Sequence, residues 1–157
     1  MTKKDISDDK VIENRRARFD YDIEDTLEVG IALQGSEVKS VRNGHVSLNE
    51  GFVKAVAEPC QLILMNVEIG EYGPSAAYGH KPKRSRVLLA HRGEILKLAK
   101  KMQVKGYTIV PLKLYFKNGF AKLLIGIGKG KTKHDKRQSI AKREAKRDID
   151  RATSRRA

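Results

Sequence analysis

The stretch Gly126 to Arg137, reading GIGKGKTKHDKR, is where this chain changes character. Apolar alternation and compact turns run up to it, and a basic tail with almost nothing to bury follows it. A chain divided in this way builds one folded module that carries a charged arm. Lys129, Lys131 and Lys133 are interleaved with Gly130, so backbone can lie close to a phosphate while side chains flank it. The junction reads as that of an RNA-binding protein.

The 157 residues leave room for one modest core, and the formal charge of +14 is unevenly placed. Residues 129 to 157 hold 12 Lys or Arg against 4 Asp or Glu, compared with 21 against 15 in the rest. A basic excess concentrated in an arm points to nucleic acid or an anionic membrane surface. The membrane reading weakens because the tail has no aromatic residue and its apolar residues are mostly alanine, whereas interfacial helices need a bulky apolar face. The single cysteine, Cys60, has no partner for a disulfide or a metal knuckle, and a reducing compartment fits it. No segment has signal-peptide or membrane-spanning character, so a soluble cytoplasmic protein is expected.

Residues 1–10 read as a disordered leader, 11–131 as the folded body and 132–157 as the tail. Three arginines in NRRAR, Asn14 to Arg18, precede a strand, and Phe19, Tyr21 and Ile23 then alternate with acidic residues. Leu27, Val29, Ile31 and Leu33 take one face of a long strand bent near Asp25; Glu28 lies on the other, outward face. Ser36 and Asn43-Gly44 read as the cap and left-handed stop of a short helix. Strands are predicted at 52–56, 62–69 and 86–90, with a mobile loop at 70–82. Ile95, Leu98, Ala99 and Met102 set a longer helix ended by Gly106. Asn118-Gly119 between two apolar runs signals a hairpin, and Pro111 belongs at an edge or bulge. About six short strands, one longer and one short helix make a mainly β fold, an OB-like closed antiparallel barrel whose curved face suits an oligonucleotide.

Several motifs argue against catalysis. Gly126 leaves three residues before Gly130-Lys131-Thr132, where a phosphate-binding loop needs four. His45, His80, His91 and His134 are scattered, none at metal-ligand spacing, so no metal or cofactor is expected; His45 and His80 read as surface residues, and His91 as a helix cap or a base-stacking ring. In the tail, Ala141, Ala145, Ile149 and Ala152 form a helical stripe amid Lys142, Arg143, Lys146 and Arg147. Such a segment is expected to be disordered when free and helical once phosphates neutralise it.

GIALQGSEVKSVRNG at 30–44, KRSRVLLAHRGEI at 83–95, GYTIVPLKLYFKNGFAKLLIGIGKGK at 106–131 and HDKR at 134–137 closely resemble the SmpB family of transfer-messenger RNA-binding proteins. The resemblance implies trans-translation, the rescue of ribosomes stalled on messages without a stop codon, by a non-enzymatic adaptor. It implies that the barrel holds the tRNA-like domain of the RNA and that the tail substitutes for codon–anticodon pairing in the 16S rRNA decoding centre of the 70S ribosome. Peptide transfer would belong to the ribosome and GTP hydrolysis to elongation factor Tu, which delivers the RNA complex; a monomer is the expectation. The RNA contacts it implies are Glu28, Leu89 and His91, with Asn14, Lys129 and Gly130 as a further patch. Arg15, Arg16, Gln34, Lys39, Arg86 and Lys131 join the candidate RNA surface. Lys133, His134, Asp135, Lys136, Arg137 and the four cations at 142, 143, 146 and 147 join the candidate decoding-centre tail. The chain departs from the family at Ala145, where a tryptophan is common, and at Thr153-Ser154, where an apolar-basic pair is common. A general RNA-binding or structural ribosomal protein, and an enzyme acting on RNA, are the alternative readings.

Overall fold

The computed structural model describes residues 11–71, 73 and 79–155; the leader at 1–10 and part of the loop predicted at 70–82 lie outside them. Its elements in order are β1 (Ile12–Glu13), α1 (Arg15–Asp20), β2 (Tyr21–Ile31), α2 (Gly35–Arg42), β3 (Val46–Ser47), β4 (Phe52–Val56) and β5 (Gln61–Met65). Then come β6 (Glu68–Ile69), β7 (Arg86–Leu89), α3 (Arg92–Met102), β8 (Tyr107–Lys117), β9 (Phe120–Gly130) and α4 (Lys133–Arg155).

Six strands close on one another in the order β8-β4-β5-β7-β2-β9, with β9 returning to β8, and every pairing is antiparallel. The fold is therefore mainly β, a closed ring with a C-terminal helix. Val29, Val53, Leu62, Leu64, Ile109, Leu114, Leu123 and Ile125 fill the ring, each at most 2% exposed. Helix α3 adds Ile95 and Leu98 from outside. The hairpin forms as its sequence demands: Asn118 and Gly119 both take positive φ, 52° and 79°, in the turn whose twist matches its strands. Pro111 sits where the β8–β9 register shifts, so its missing N–H interrupts no regular ladder.

Three local expectations are corrected. NRRAR does not lead straight into a strand: Asn14 caps α1 by accepting from the Ala17 N–H at 3.1 Å, and Ala17 packs with Val110 and Leu112 on the outer face of β8. Helix α2 starts at Gly35 rather than at a Ser36 cap, because the Glu37 carboxylate accepts from the Gln34 backbone N–H at 2.9 Å. The apolar run at 62–69 splits at Asn66, whose φ of 58° ends β5 and lets β6 pair with β3 in a separate two-stranded sheet.

Strand β9 runs close to β2 where the register shifts between Ile23 and Asp25. A Cβ on Gly128 would overlap the Asp22 carbonyl oxygen, which is backbone and cannot swing aside. Gly128→Ala should lower stability by about 3 kcal/mol, the upper range of overpacking costs, read as a lower urea midpoint; an unchanged midpoint would show that β2 and β9 have room to part.

Candidate nucleic-acid interface

The interface is built on the β2–β7 and β2–β9 pairings. Gly30 lies opposite Leu89 and Lys122, so one end of β2 meets the end of β7 and the start of α3. There a groove of about 500 Å3 is lined by Leu27, Glu28, Gly30, Leu89, Ala90, His91, Glu94 and Lys122. Residues up to 95 positions apart in sequence, Leu27 and Lys122, thus form one surface. Leu89 is 60% exposed, an unusual place for a leucine. His91 is the N-cap residue of α3, its carbonyl accepting from the Ile95 N–H at 3.0 Å, while its side chain makes no capping bond and the ring is exposed.

Glu28 is held as a carboxylate. The Tyr115 hydroxyl donates to its Oε2, Lys117 Nζ stands 3.6 Å from its Oε1, and Lys122 adds positive potential. The hydroxyl, chiefly, and the two lysines keep its pKa below the ordinary glutamate value, against a desolvation effect that raises it. Burial, and then the bond to Glu28, pushes Tyr115 up to about 12. The result is an exposed acceptor fixed between an aromatic hydroxyl and two cations.

The other candidates divide. At the far end of the β2–β9 pair, Lys129 faces Asp22, seven residues and about 23 Å along the strand from Lys122. Its ammonium lies 4.9 Å from the Tyr107 ring centroid, and Gly130 is exposed beside it. Lys131 ties the arm to itself, its Nζ donating to Ser139 Oγ at 2.9 Å. Arg15 and Arg16 are exposed on α1, Arg16 pairing with Asp20 at 3.2 Å. Gln34 and Lys39 are exposed at α2.

Two candidates are corrected because their polar groups are spent inside the protein. Asn14 is 4% exposed, and its Nδ2 donates to the Leu48 and Pro111 carbonyls at 3.1 and 2.9 Å. It is a brace between α1, β8 and the turn before β4. Arg86 is fully buried: its Nε donates to Glu37, its Nη1 to the Val67 carbonyl at 2.8 Å and its Nη2 to the Pro82 carbonyl at 3.1 Å. His80 likewise moves from the surface to the interior, 5% exposed between Ser36 Oγ and the Ile69 carbonyl at 2.8 and 2.9 Å. Ser36, free of the cap, serves this bridge.

The arm emerges from β9 as a 23-residue helix in which no residue is buried. Thr132 and Asp135 open it as a reciprocal cap: Thr132 Oγ1 accepts from the Asp135 N–H at 3.3 Å, and the Asp135 carboxylate accepts from the Thr132 hydroxyl at 2.9 Å. Asp135 in HDKR therefore starts the helix. Lys133, His134, Arg137, Lys142, Arg143, Lys146 and Arg147 are exposed along it, while Lys136 is half-buried against α1. His134 bonds Gln138 one turn on, at 3.1 Å. Among the described residues no group of carboxylates, histidines and cysteine is placed to hold a metal ion, and no helix is long and apolar enough to cross a membrane.

A closed β ring with an open mixed groove and an unburied basic helix defines the class: a small β protein carrying a surface arm. The family model described as SmpB protein matches residues 11–155. An SsrA-binding protein of Anaeromyxobacter dehalogenans (strain 2CP-C) is 48% identical over 151 residues, covering 96% of this chain and 91% of the relative. One from Geobacillus sp. (strain WCH70) is 51% identical over 142 residues, 90% of each. A chain in the solved structure described as "tmRNA-SmpB: a journey to the center of the bacterial ribosome" superposes with a TM-score of 0.66 at 42% identity, covering 83% of this chain and 94% of that one. This chain belongs to the SmpB family.

Glu37 joins α2 to β7 through Arg86. Burial opposes its charge, but the Gln34 N–H, Arg84 and Arg86 together hold its pKa below the ordinary 4.5. A lowered native pKa gives stability that is present above 4.5 and is lost as pH falls through the native value. Glu37→Gln should cost about 3–5 kcal/mol at neutral pH, since Arg86 is left buried and unpaired. It should also flatten the loss of stability on the acid side; urea titrations above and below pH 4.5 that fall equally in both proteins would contradict this.

Proposed function

We propose that this chain is an RNA-binding adaptor that binds the tRNA-like domain of transfer-messenger RNA and brings it to stalled 70S ribosomes for trans-translation. The observation that carries the reading is the groove that gathers Glu28, Leu89 and His91, set on a body whose arm buries nothing. In the groove, the Glu28 carboxylate accepts from base or ribose donors, Leu89 gives an apolar contact, and the His91 ring stacks on a base. A carboxylate kept ionised selects donors and repels phosphate, so it orients the RNA rather than gluing it.

The body at 11–131 recognises and the arm at 132–157 signals. A helix of 23 residues reaches about 34 Å, and beyond its small contact with α1 it is exposed to a partner outside this chain. In the 16S rRNA decoding centre the arm takes the place of codon–anticodon pairing: His134 stacks on a base, and Lys133, Lys136, Arg137, Lys142, Arg143, Lys146 and Arg147 meet phosphates. Asp135 shapes the helix start. Elongation factor Tu accompanies the RNA, and no bond is made or broken by this protein.

Removing residues 133–157 should keep affinity for transfer-messenger RNA within about tenfold, or 1.4 kcal/mol, while abolishing release of ribosomes stalled on a message without a stop codon. Glu28→Ala combined with His91→Ala should do the reverse and weaken the RNA complex first. Loss of most binding on truncation, or full affinity in the double variant, would contradict the division of labour.

A further inference from the structure

The arm docks on α1 through a small seam. Phe19 lies beneath two cations of α4, the Lys136 ammonium at 5.9 Å and the Arg143 guanidinium at 5.8 Å from the ring centroid. Lys136 also pairs with Asp20 at 3.4 Å, and the Lys131 N–H donates to the Asp20 carbonyl at 2.8 Å. This seam sets one face of α4 opposite α1, and between them opens a groove of about 390 Å3.

The groove is electrostatically unbalanced. Arg15 and Arg18 line one wall, Arg143 and Arg147 the other, and Lys113 the floor, with Glu13 as the one carboxylate, 3.5 Å from Lys113. Among the described residues, the guanidinium groups of Arg15, Arg18 and Arg147 have no ion-pair or hydrogen-bond partner. Cations facing cations raise the energy of the docked arm, and exposed cation–π contacts at the seam return only a little of that. An anion between the helices turns that repulsion into attraction at both walls, and guanidinium forks match phosphate oxygens two at a time.

We infer that this cleft is a phosphodiester-binding site in which one RNA strand is gripped by the body and the arm together. The inference rests on the RNA-binding reading above and adds a coupling to it: RNA held in the cleft fixes the direction in which α4 leaves the ring. It is separate from the Glu28 groove, because its walls are α1 and α4 rather than β2 and β7.

The test is a double-mutant cycle on the full chain, with a short oligouridine as probe and fluorescence anisotropy as readout. Arg18→Gln and Arg147→Gln should each weaken binding about fivefold. The double variant should lose little more than either single, because a strand released from one wall is no longer held by the other. Lys105→Gln, an equal charge change on an exposed residue outside both grooves, should lose less than about twofold. Losses that multiply, no loss, or an equal loss at Lys105 would overturn the cleft. Because these side chains are exposed and unpartnered, the variants should keep the helical dichroism of the parent. Independently, the Arg18 and Arg147 side-chain NMR signals should shift with one midpoint on adding oligouridine; separate midpoints would also overturn it. If the cycle shows coupling while rescue and affinity fail to divide between arm and body, the adaptor reading falls and the cleft stands; the opposite pattern removes the cleft alone.

Discussion

Strand β9 is hydrogen-bonded along both edges, to β2 on one side and β8 on the other, and ring closure through it is the constraint on which the remaining features depend. Closure removes the free edges that an open sheet would offer to other chains. It also lays Lys122 and Lys129 at opposite ends of the β2–β9 pair, which sets the Glu28 groove and the arm's root at a fixed separation. The glycines of GIGKG make this possible, since Gly128 has no side chain to hold β2 away. The same sequence that closes the ring therefore launches the arm.

A protein of net charge +14 has to decide which cations face inward. Here Glu37 takes two cations, the part-exposed Arg84 and the fully buried Arg86, and joins α2 to β7. Breaking such a pair strands a buried charge, whereas an exposed ion pair such as Arg16–Asp20 contributes little. Among the described residues, three cations without an ion-pair or hydrogen-bond partner, Arg15, Arg18 and Arg147, line the groove where α1 and α4 face each other, and that imbalance is what an anionic polymer would relieve.

Much of the fold was legible in the sequence, for physical reasons that differ by element. The alternation at 27–33 reports a half-buried strand because side chains alternate across a sheet, and Asn118-Gly119 reports its turn because few other pairs tolerate two positive φ values. Helix α1 was not legible: six residues with Ala17 as the one buried side chain carry no periodicity, and the Asn14 cap three residues before Ala17 was the available signal. Of the candidate site, Glu28, Leu89 and His91 do share a groove. Arg86 and Asn14 were misplaced because a polar residue's burial is decided by partners far along the chain, Glu37 at 49 residues and Pro111 at 97. The tail read as disordered when free because it has little to bury; the structure gives its helical form, started by Thr132 and Asp135 and leaning on Phe19.

Under the proposed function this surface recognises a shape of RNA and not merely its charge. The most direct measurement is the affinity of the full chain for transfer-messenger RNA against an unrelated structured RNA of equal length, both at physiological salt. A preference of about a hundredfold, worth about 2.7 kcal/mol, is the result the account predicts. Equal affinity for both would mean that the net charge acts as generic phosphate glue, and would contradict it.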